Sequence, residues 1–326
     1  MAVLEAVTRV AAFLVLSFLV FPLVAGAQAY PAKPVHVVVP ASPGGASDLI
    51  ARLVATPLAE RLGQPFIVEN RVTSGGIVAT QQVAESAPDG QTLLVTFDTF
   101  ATNPFLFSGL KWDPVRDFAP LMQLCRYPQV LLVHPSLGVH SVAEFVALAK
   151  KRGAQLNYGT AGPASSSRLA YELFKEIAGI ETVAIHYKGG GPAIQDLVAG
   201  QVQVMLIQGG GSIPQYVKAG RLVALGVSSP ERSRFFPGVP AIAETYPGFE
   251  SESWVAMFAP AATPRAVLEK LHAALAATVG DPALKDRFES QGCELVGGTP
   301  DALARVVRQD QAKWGRLIRD KHITVE

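Results

Sequence analysis

Short apolar runs along this chain alternate with longer stretches in which apolar residues recur at helical spacing, a pattern that predicts a wound α/β architecture. The clearest instance opens at residues 35–39. Val35-His36-Val37-Val38-Val39 are almost all β-branched and lie between prolines 34 and 40, so they read as a short, fully buried parallel strand. Leu49, Ile50, Leu53, Val54, Leu58 and Leu62 then follow at helical spacing, with Gly63 as the stop. The turn between them, Pro40-Ala41-Ser42-Pro43-Gly44-Gly45-Ala46-Ser47-Asp48, carries two adjacent glycines and two hydroxyls. In a β-loop-α unit this turn sits at the carboxyl end of the strand, where backbone N–H groups and the positive end of the helix can meet an anion. A purely structural role also fits: the glycines permit a tight turn, and Ser47 or Asp48 caps the helix.

The pattern repeats. A strand is expected over 66–68, a helix over 77–86 introduced by Gly75-Gly76, a turn at Pro88-Asp89-Gly90 and a strand over 92–97. The hydroxyl-rich segment Asp98-Thr99-Phe100-Ala101-Thr102-Asn103-Pro104 then reads as a loop at the same edge as the first. This order implies a parallel sheet with right-handed crossovers. Residues 118–133 differ, being a long apolar stretch interrupted by Gln123, Arg126, Tyr127, Pro128 and Gln129, suited to run from one lobe into another.

A second α/β lobe follows. Ser141 and Glu144 form a capping box for a helix through 151. A strand over 156–159 leads into Thr160-Ala161-Gly162-Pro163-Ala164-Ser165-Ser166-Ser167 and a helix through 178. A strand over 183–186 leads into Tyr187-Lys188-Gly189-Gly190-Gly191-Pro192, with the proline suited to a first helical turn, and one over 202–207 into Gln208-Gly209-Gly210-Gly211-Ser212. A strand over 222–227 precedes a proline-rich, irregular segment over 230–247. Residues 253–259 read as a strand crossing back. Thr263-Pro264 and Thr299-Pro300 each start a helix, with another helix at Asp281-Pro282 and a short strand over 293–296 between them. Two lobes, 30–125 with 252–326 and 126–251, joined by two crossings, form a hinged cleft that closes on a ligand.

Residues 1–29 stand apart from this fold. Arg9 precedes an apolar run over 10–24, and Ala25-Gly26-Ala27 and Ala27-Gln28-Ala29 both fit a small-residue cleavage pattern, so a secretory signal peptide is expected. The formal net charge of +1 argues against nucleic acid or a polybasic membrane contact as the main partner. Cys125 and Cys293 are too few and too far apart to make a framework; two buried thiols are expected, with a disulfide open in an oxidising compartment. The histidines, at 36, 134, 140, 186, 272 and 322, never approach metal-ligand spacing, and no cofactor is expected. The chain has no G-x-S-x-G elbow, P-loop lysine, H-E-x-x-H or C-x-x-C. His186 has no carboxylate or nucleophile placed with it by sequence and reads as a histidine at a strand end. Lys188 reads either as a point charge near the cleft or as a solvated lysine. The glycine triplets at 189–191 and 209–211 suggest close backbone approach to something, or flexible turns.

Further motifs run along almost the whole chain after residue 29. They are Tyr30-Pro31-x-Lys33-Pro34, the turn with Pro43-Gly44-Gly45 and Asp48, Leu62-Gly63-Gln64-Pro65, Val68-Glu69-Asn70-Arg71, Ala87-Pro88-Asp89-Gly90, Asn103-Pro104, Asp113-Pro114 with Asp117-Phe118, Tyr187-Lys188-Gly189, Val239-Pro240, Pro247-Gly248-Phe249 and Trp254. In this order the chain resembles the tripartite tricarboxylate transporter receptors, the periplasmic solute-binding proteins also called Bug proteins. The resemblance implies a type II periplasmic-binding-protein fold, monomeric and without cofactor or catalytic residues. It would hold a small organic carboxylate between its lobes by backbone N–H groups, hydroxyls and water, and hand it to a membrane permease. The residues carried over are Ser42, Pro43, Gly44, Gly45, Ser47 and Asp48; Thr99; Thr160, Ala161, Gly162, Ser165 and Ser166; Tyr187, Lys188, Gly189 and Gly190; and Gln208.

Where many members read S-S-G-x-G-[ST]-x-x-H in the second lobe, this chain departs: Ala161 removes a hydroxyl, Ala164 a glycine, and Arg168 replaces the histidine. Two other roles are compatible with an exported α/β protein. One is a ligand-sensing partner of a periplasmic signalling protein. The other is a hydrolase, which would need an activated nucleophile, and Ser165 and Ser166 lack a sequence-evident base.

Overall fold

The computed structural model describes residues 30–72 and 76–325, so the expected signal peptide and Gly75 lie outside the described residues. Lys33–Glu326 form one compact unit. The strands are β1 (Val35–Val39), β2 (Phe66–Asn70), β3 (Thr92–Phe97), β4 (Phe118–Val133), β5 (Asn157–Thr160), β6 (Val183–His186), β7 (Val204–Gln208), β8 (Val223–Val227), β9 (Glu252–Pro260) and β10 (Glu294–Gly297). The helices are α1 (Ala46–Leu62), α2 (Ile77–Ala84), α3 (Thr99–Leu106), α4 (Val142–Arg152), α5 (Ser166–Ala178), α6 (Gly190–Val198), α7 (Ile213–Lys218), α8 (Arg265–Val279), α9 (Pro282–Ser290) and α10 (Pro300–Asp320). No helix among the described residues is long and apolar enough to cross a membrane.

β1 lies between β2 and β3, parallel to both, with Val37 opposite Val68 and Leu93. Val35, Val37, Val38 and Val39 are completely buried, but His36 is not. Its ring reaches Glu69 on the neighbouring strand, so the strand is buried on one face and partly open at its start on the other. Gly63 ends α1 in the left-handed conformation, its N–H on the Ala59 carbonyl.

Two helix starts differ from expectation. α8 takes Pro264 as its N-cap, which leaves the buried Thr263 hydroxyl without a partner. At α4, Ser141 accepts from the Glu144 N–H, but the Glu144 carboxylate reaches past the cap to the His140 N–H, 2.7 Å away. The expected loop after β3 is the helix α3. Phe100 stacks on Trp112 at 5.4 Å and lies 4.6 Å from Phe258, so tertiary burial of its apolar face overrides the weak helical preference of Thr99-Phe100-Ala101-Thr102-Asn103-Pro104. A short helix, α7, also follows the second glycine triplet.

β4 joins two α/β lobes. Along Phe118–Pro128 it pairs antiparallel with β9, which in turn pairs with β3. From Gln129 to Val133 it pairs with β7, and β8 lies along its other edge. The strand order is therefore β2-β1-β3-β9-β4-β7-β5-β6. Where partners change, the Ser228 hydroxyl and the backbones of Ser228 and Ser251 take up groups the ladders would leave stranded in the core, while Gln129 Oε1 and Ser251 Oγ are buried without a partner. The Gln129 N–H donates to Ser228 Oγ at 2.8 Å, Ser228 Oγ donates to the Ser251 carbonyl, and the Ser251 N–H donates to the Ser228 carbonyl at 3.0 Å. α10 spans the same junction from outside: Leu303 and Val307 enter the core of the first sheet, while Trp314, Leu317 and Ile318 enter that of the second.

The two cysteines are not free thiols. Cys125 on β4 and Cys293 beside β10 form a disulfide, because antiparallel pairing of Cys125 with Leu295 brings residues 168 apart in sequence to a Cα separation of 5.9 Å. Closing so long a loop is expected to stabilise the fold by roughly 2–4 kcal/mol. Cys293→Ser should lower the urea midpoint accordingly, and reductant should lower the wild type to match. A wild-type midpoint insensitive to reductant would mean that the bond contributes nothing.

Candidate functional site

A cavity of about 320 Å³ opens at the carboxyl ends of the parallel strands, and four helices begin at its wall. Ala46 and Ser47 open α1, Thr99 opens α3, Ser166 and Ser167 open α5 after the N-cap Ser165, and Gly190 opens α6. The first N–H groups of a helix have no intrahelical acceptor and carry the positive end of its dipole. At α1 and α6 the N-caps are Gly45 and Gly189, which have no side chain to occupy those donors. Ala41, Phe97, Ala161, Ile207 and Val255 make the apolar part of the wall, and Gln208 adds an amide. Among the described residues that line it there is no Lys, Arg or His. An adjoining cavity of about 270 Å³ shares Ala46, Gly190, Ile207 and Gln208 and is lined further by Gly44, Tyr127, Gly210 and Gly211.

The loops behind this wall are tied by their own side chains. Asp48 caps backwards: its carboxylate accepts from the Gly44 N–H at 2.8 Å and from Asn70 Nδ2 at 3.0 Å, and pairs with Arg52 at 2.9 Å. Burial works to raise its pKa, yet these donors together hold it below the usual carboxylate range. In the second lobe Thr160 Oγ1 bonds His186 Nδ1 at 2.8 Å, and Ser167 Oγ accepts from the Ala161 N–H at 2.9 Å. Arg168 takes a structural part here. It donates to the Pro163 carbonyl at 2.8 Å and to the Thr324 carbonyl at 2.5 Å, clamping the loop to the C-terminal tail. Burial and the Arg168 charge both push the His186 pKa down.

Of the residues expected from sequence, Ser47, Thr99, Ala161, Ser165, Ser166, Gly190 and Gln208 line the first cavity and Gly44 the adjoining one. Ser42, Pro43, Gly45, Asp48, Thr160, Gly162, Tyr187, Lys188 and Gly189 line neither. Ser42 and Pro43 form an exposed tip, Lys188 is exposed, and the Tyr187 hydroxyl donates to Asp196 at 2.7 Å. Gly189 donates its N–H to the Ala161 carbonyl, binding the two second-lobe loops together. Sequence reasoning missed Ala46 and Ser167, whose first-turn positions were a usable signal. It also missed Phe97, Ile207 and Val255. Phe97 and Val255 are cross-strand partners of β3 and β9, which only sheet register reveals. The glycine at 209 answers to packing rather than to a ligand, since a Cβ there would come within 2.3 Å of the Phe236 ring.

Directly behind Thr99 and Ser166 lies Asp98, 5 % exposed, with Oδ1 lacking a hydrogen-bond partner in the structure. Burial pushes its pKa up to about 7; the Asp310 carboxylate adds to that, while Ser253, Ser166 and the Thr99 N–H pull the other way. Ser166 Oγ and Ser253 Oγ lie 3.3 Å apart, so this carboxyl sits where α5 of one lobe meets β9 of the other. A raised folded-state pKa means that the native protein keeps a proton the unfolded chain releases, so stability falls as pH climbs from about 4 to 7 and then levels off. The contribution is of the order of 4 kcal/mol at most. Asp98→Asn should unfold at a higher urea concentration than the wild type at pH 8, with the difference shrinking toward pH 5. Parallel pH profiles for the two proteins would refute the assignment.

Comparison with known proteins adds a lineage. The family profile described as "Tripartite tricarboxylate transporter family receptor" matches residues 50–323. A UPF0065 protein from the tcbD-tcbE intergenic region of Pseudomonas sp. strain P51 is 35% identical over 293 residues, covering 89% of this chain and 87% of that protein. Protein BugT of Bordetella pertussis is 32% identical over 297 residues, covering 90% and 91%. Among solved structures, R. palustris Rpa4515 with adipate superposes with a TM-score of 0.80 at 34% identity, over 89% of this chain and 97% of that one. MatC from Rhodopseudomonas palustris with bound malate gives 0.77 at 31% identity, over 89% and 100%.

Proposed function

The chain belongs to the tripartite tricarboxylate transporter receptor family, and from that premise we propose that it is a periplasmic receptor capturing a small organic carboxylate for a tripartite membrane transporter. The observation that carries this reading is the convergence of four helix N-termini and their hydroxyls on one cavity. Such a wall stabilises a carboxylate by charge-assisted hydrogen bonds from neutral donors. The adipate and malate held by two structural relatives are carboxylates of this kind.

We assign the lobes as 30–125 with 252–326, and 126–251, and the ligand contacts to Ser47, Thr99, Ala161, Ser165, Ser166, Gly190 and Gln208, with Gly44 from the adjoining cavity. Because α1 and α3 come from one lobe and α5 and α6 from the other, a ligand bridging them favours the closed form. The permease reads that difference. The receptor acts as a monomer, exported by its N-terminal segment, and performs no chemistry on its ligand.

Ligand at 100 times its dissociation constant adds about 2.7 kcal/mol to stability, a shift of a few degrees in melting temperature. Mono-, di- and tricarboxylates should therefore include compounds that raise it while their amides do not. Ala46 is exposed in the cleft and borders both cavities, so Ala46→Phe should abolish the ligand shift while leaving the ligand-free melting temperature within a few degrees of wild type. Amides as effective as acids, or a full ligand shift in Ala46→Phe, would count against this site.

A further inference from the structure

Two cavities, of about 320 and 270 Å³, adjoin in the cleft and share Ala46, Gly190, Ile207 and Gln208. Their remaining walls differ. Ser47, Thr99 and Ser166 line the first and not the second, whereas Leu49, Tyr127 and Gln291 line the second and not the first. A carboxylate held by the first set of hydroxyls therefore leaves the second cavity to the rest of the same molecule.

Tyr127, on β4, decides the chemistry of that second space. It is 2 % exposed, yet its hydroxyl has no hydrogen-bond partner among the described residues, and burial alone acts on its pKa, pushing it up. A buried tyrosine hydroxyl ordinarily finds a partner, and one left desolvated costs stability that phenylalanine at the same place would avoid. Gln208 borders both cavities, and its side-chain amide also has no partner among the described residues. The wall is built from both lobes: Gln291 follows α9, and its carbonyl would lie 3.1 Å from a Cβ on Gly210 of the second lobe. A ligand reaching this space touches both lobes a second time.

We propose that the second cavity is a far-end subsite and that Tyr127 is its specificity residue, donating a hydrogen bond to an oxygen at the remote end of the ligand. The class that fits is an elongated carboxylate with a terminal oxygen acceptor, its acid group on the helix N-termini and its chain passing Ala46 and Ile207. A compact acid would leave the Tyr127 hydroxyl unpaired, and a plain alkyl chain would bury it against methylene groups and forgo the same bond. This rests on the receptor reading above and narrows its ligand class.

Four probes separate the features. Adipamate carries a carboxylate and a terminal amide on a six-carbon chain; hexanoate lacks the amide, succinamate shortens the chain, and adipamide lacks the carboxylate. In calorimetric titration the wild type should bind adipamate about tenfold more tightly than hexanoate or succinamate. Tyr127→Phe should lose most of the preference for adipamate over hexanoate. Its ligand-free melting temperature should be no lower than that of the wild type, because the hydroxyl it lacks has no partner to give up. Equal binding of adipamate and hexanoate by the wild type overturns the far-end subsite and leaves the carboxylate receptor standing, as does an undiminished preference in Tyr127→Phe. A clearly lower melting temperature in that variant, or failure to fold, shows that the hydroxyl is engaged within the protein and overturns it as well. Adipamide matching adipamate, or no binding by any of the three acids, overturns the carboxylate reading and this proposal with it.

Discussion

A strand that serves two sheets must exchange one set of backbone partners for another in the middle of the core, and the architecture of this protein depends on how β4 does so at Gln129. Before that residue its hydrogen bonds go to β9; after it they go to β7 and β8. Unpaired backbone groups at such a junction would each cost about 1–3 kcal/mol. Here Ser228 and Ser251, both fully buried, take up the groups that the changing ladders leave behind. The Cys125–Cys293 disulfide lies four residues upstream on the same strand, and α10 packs across both lobes outside it. Three features of different chemistry thus converge on one crossing.

Because parallel strands end together, fixing the crossing also fixes where the loops gather. Each crossover returns a helix from the carboxyl end of a strand, so the N-termini of α1, α3, α5 and α6 face one space by topology alone. Among its described lining residues this space offers helix N-termini and hydroxyls but no cationic side chain. The attraction such groups exert on an anion is directional and limited in total charge, because each helix end contributes only a fraction of an elementary charge. Asp98 lies beside Thr99 at this place, buried and with its pKa raised by desolvation.

The strands, most helices and the two-lobe order were legible in the chain because they rest on local rules: β-branched runs between prolines, apolar residues at helical spacing, and glycines that stop helices. Val35–Val39, Thr92–Phe97 and Val183–His186 fall where those rules put them, and Asp281 and Thr299 cap their helices as their types imply. The long run that became β4 was recognisable as a crossing from its length. The family resemblance was carried in the same way, by short motifs in a fixed order.

What the chain alone could not decide depends on partners remote in sequence. The α3 segment reads as a loop until Trp112 and Phe258 bury Phe100. The cysteines look unrelated until β10 pairs with β4. Gly209 suggests a ligand until the Phe236 ring is seen to fill the space. Phe97 and Val255 enter the cavity wall through the register of β3 on β9, and Asp98 acquires its raised pKa only when helices and strands from both lobes close over it. Local sequence determined most of the elements and their order, since propensity and periodicity act over a few residues. The tertiary structure decided which side chains share a cavity and which charge is buried, since burial and strand register are set by contacts that no short window contains.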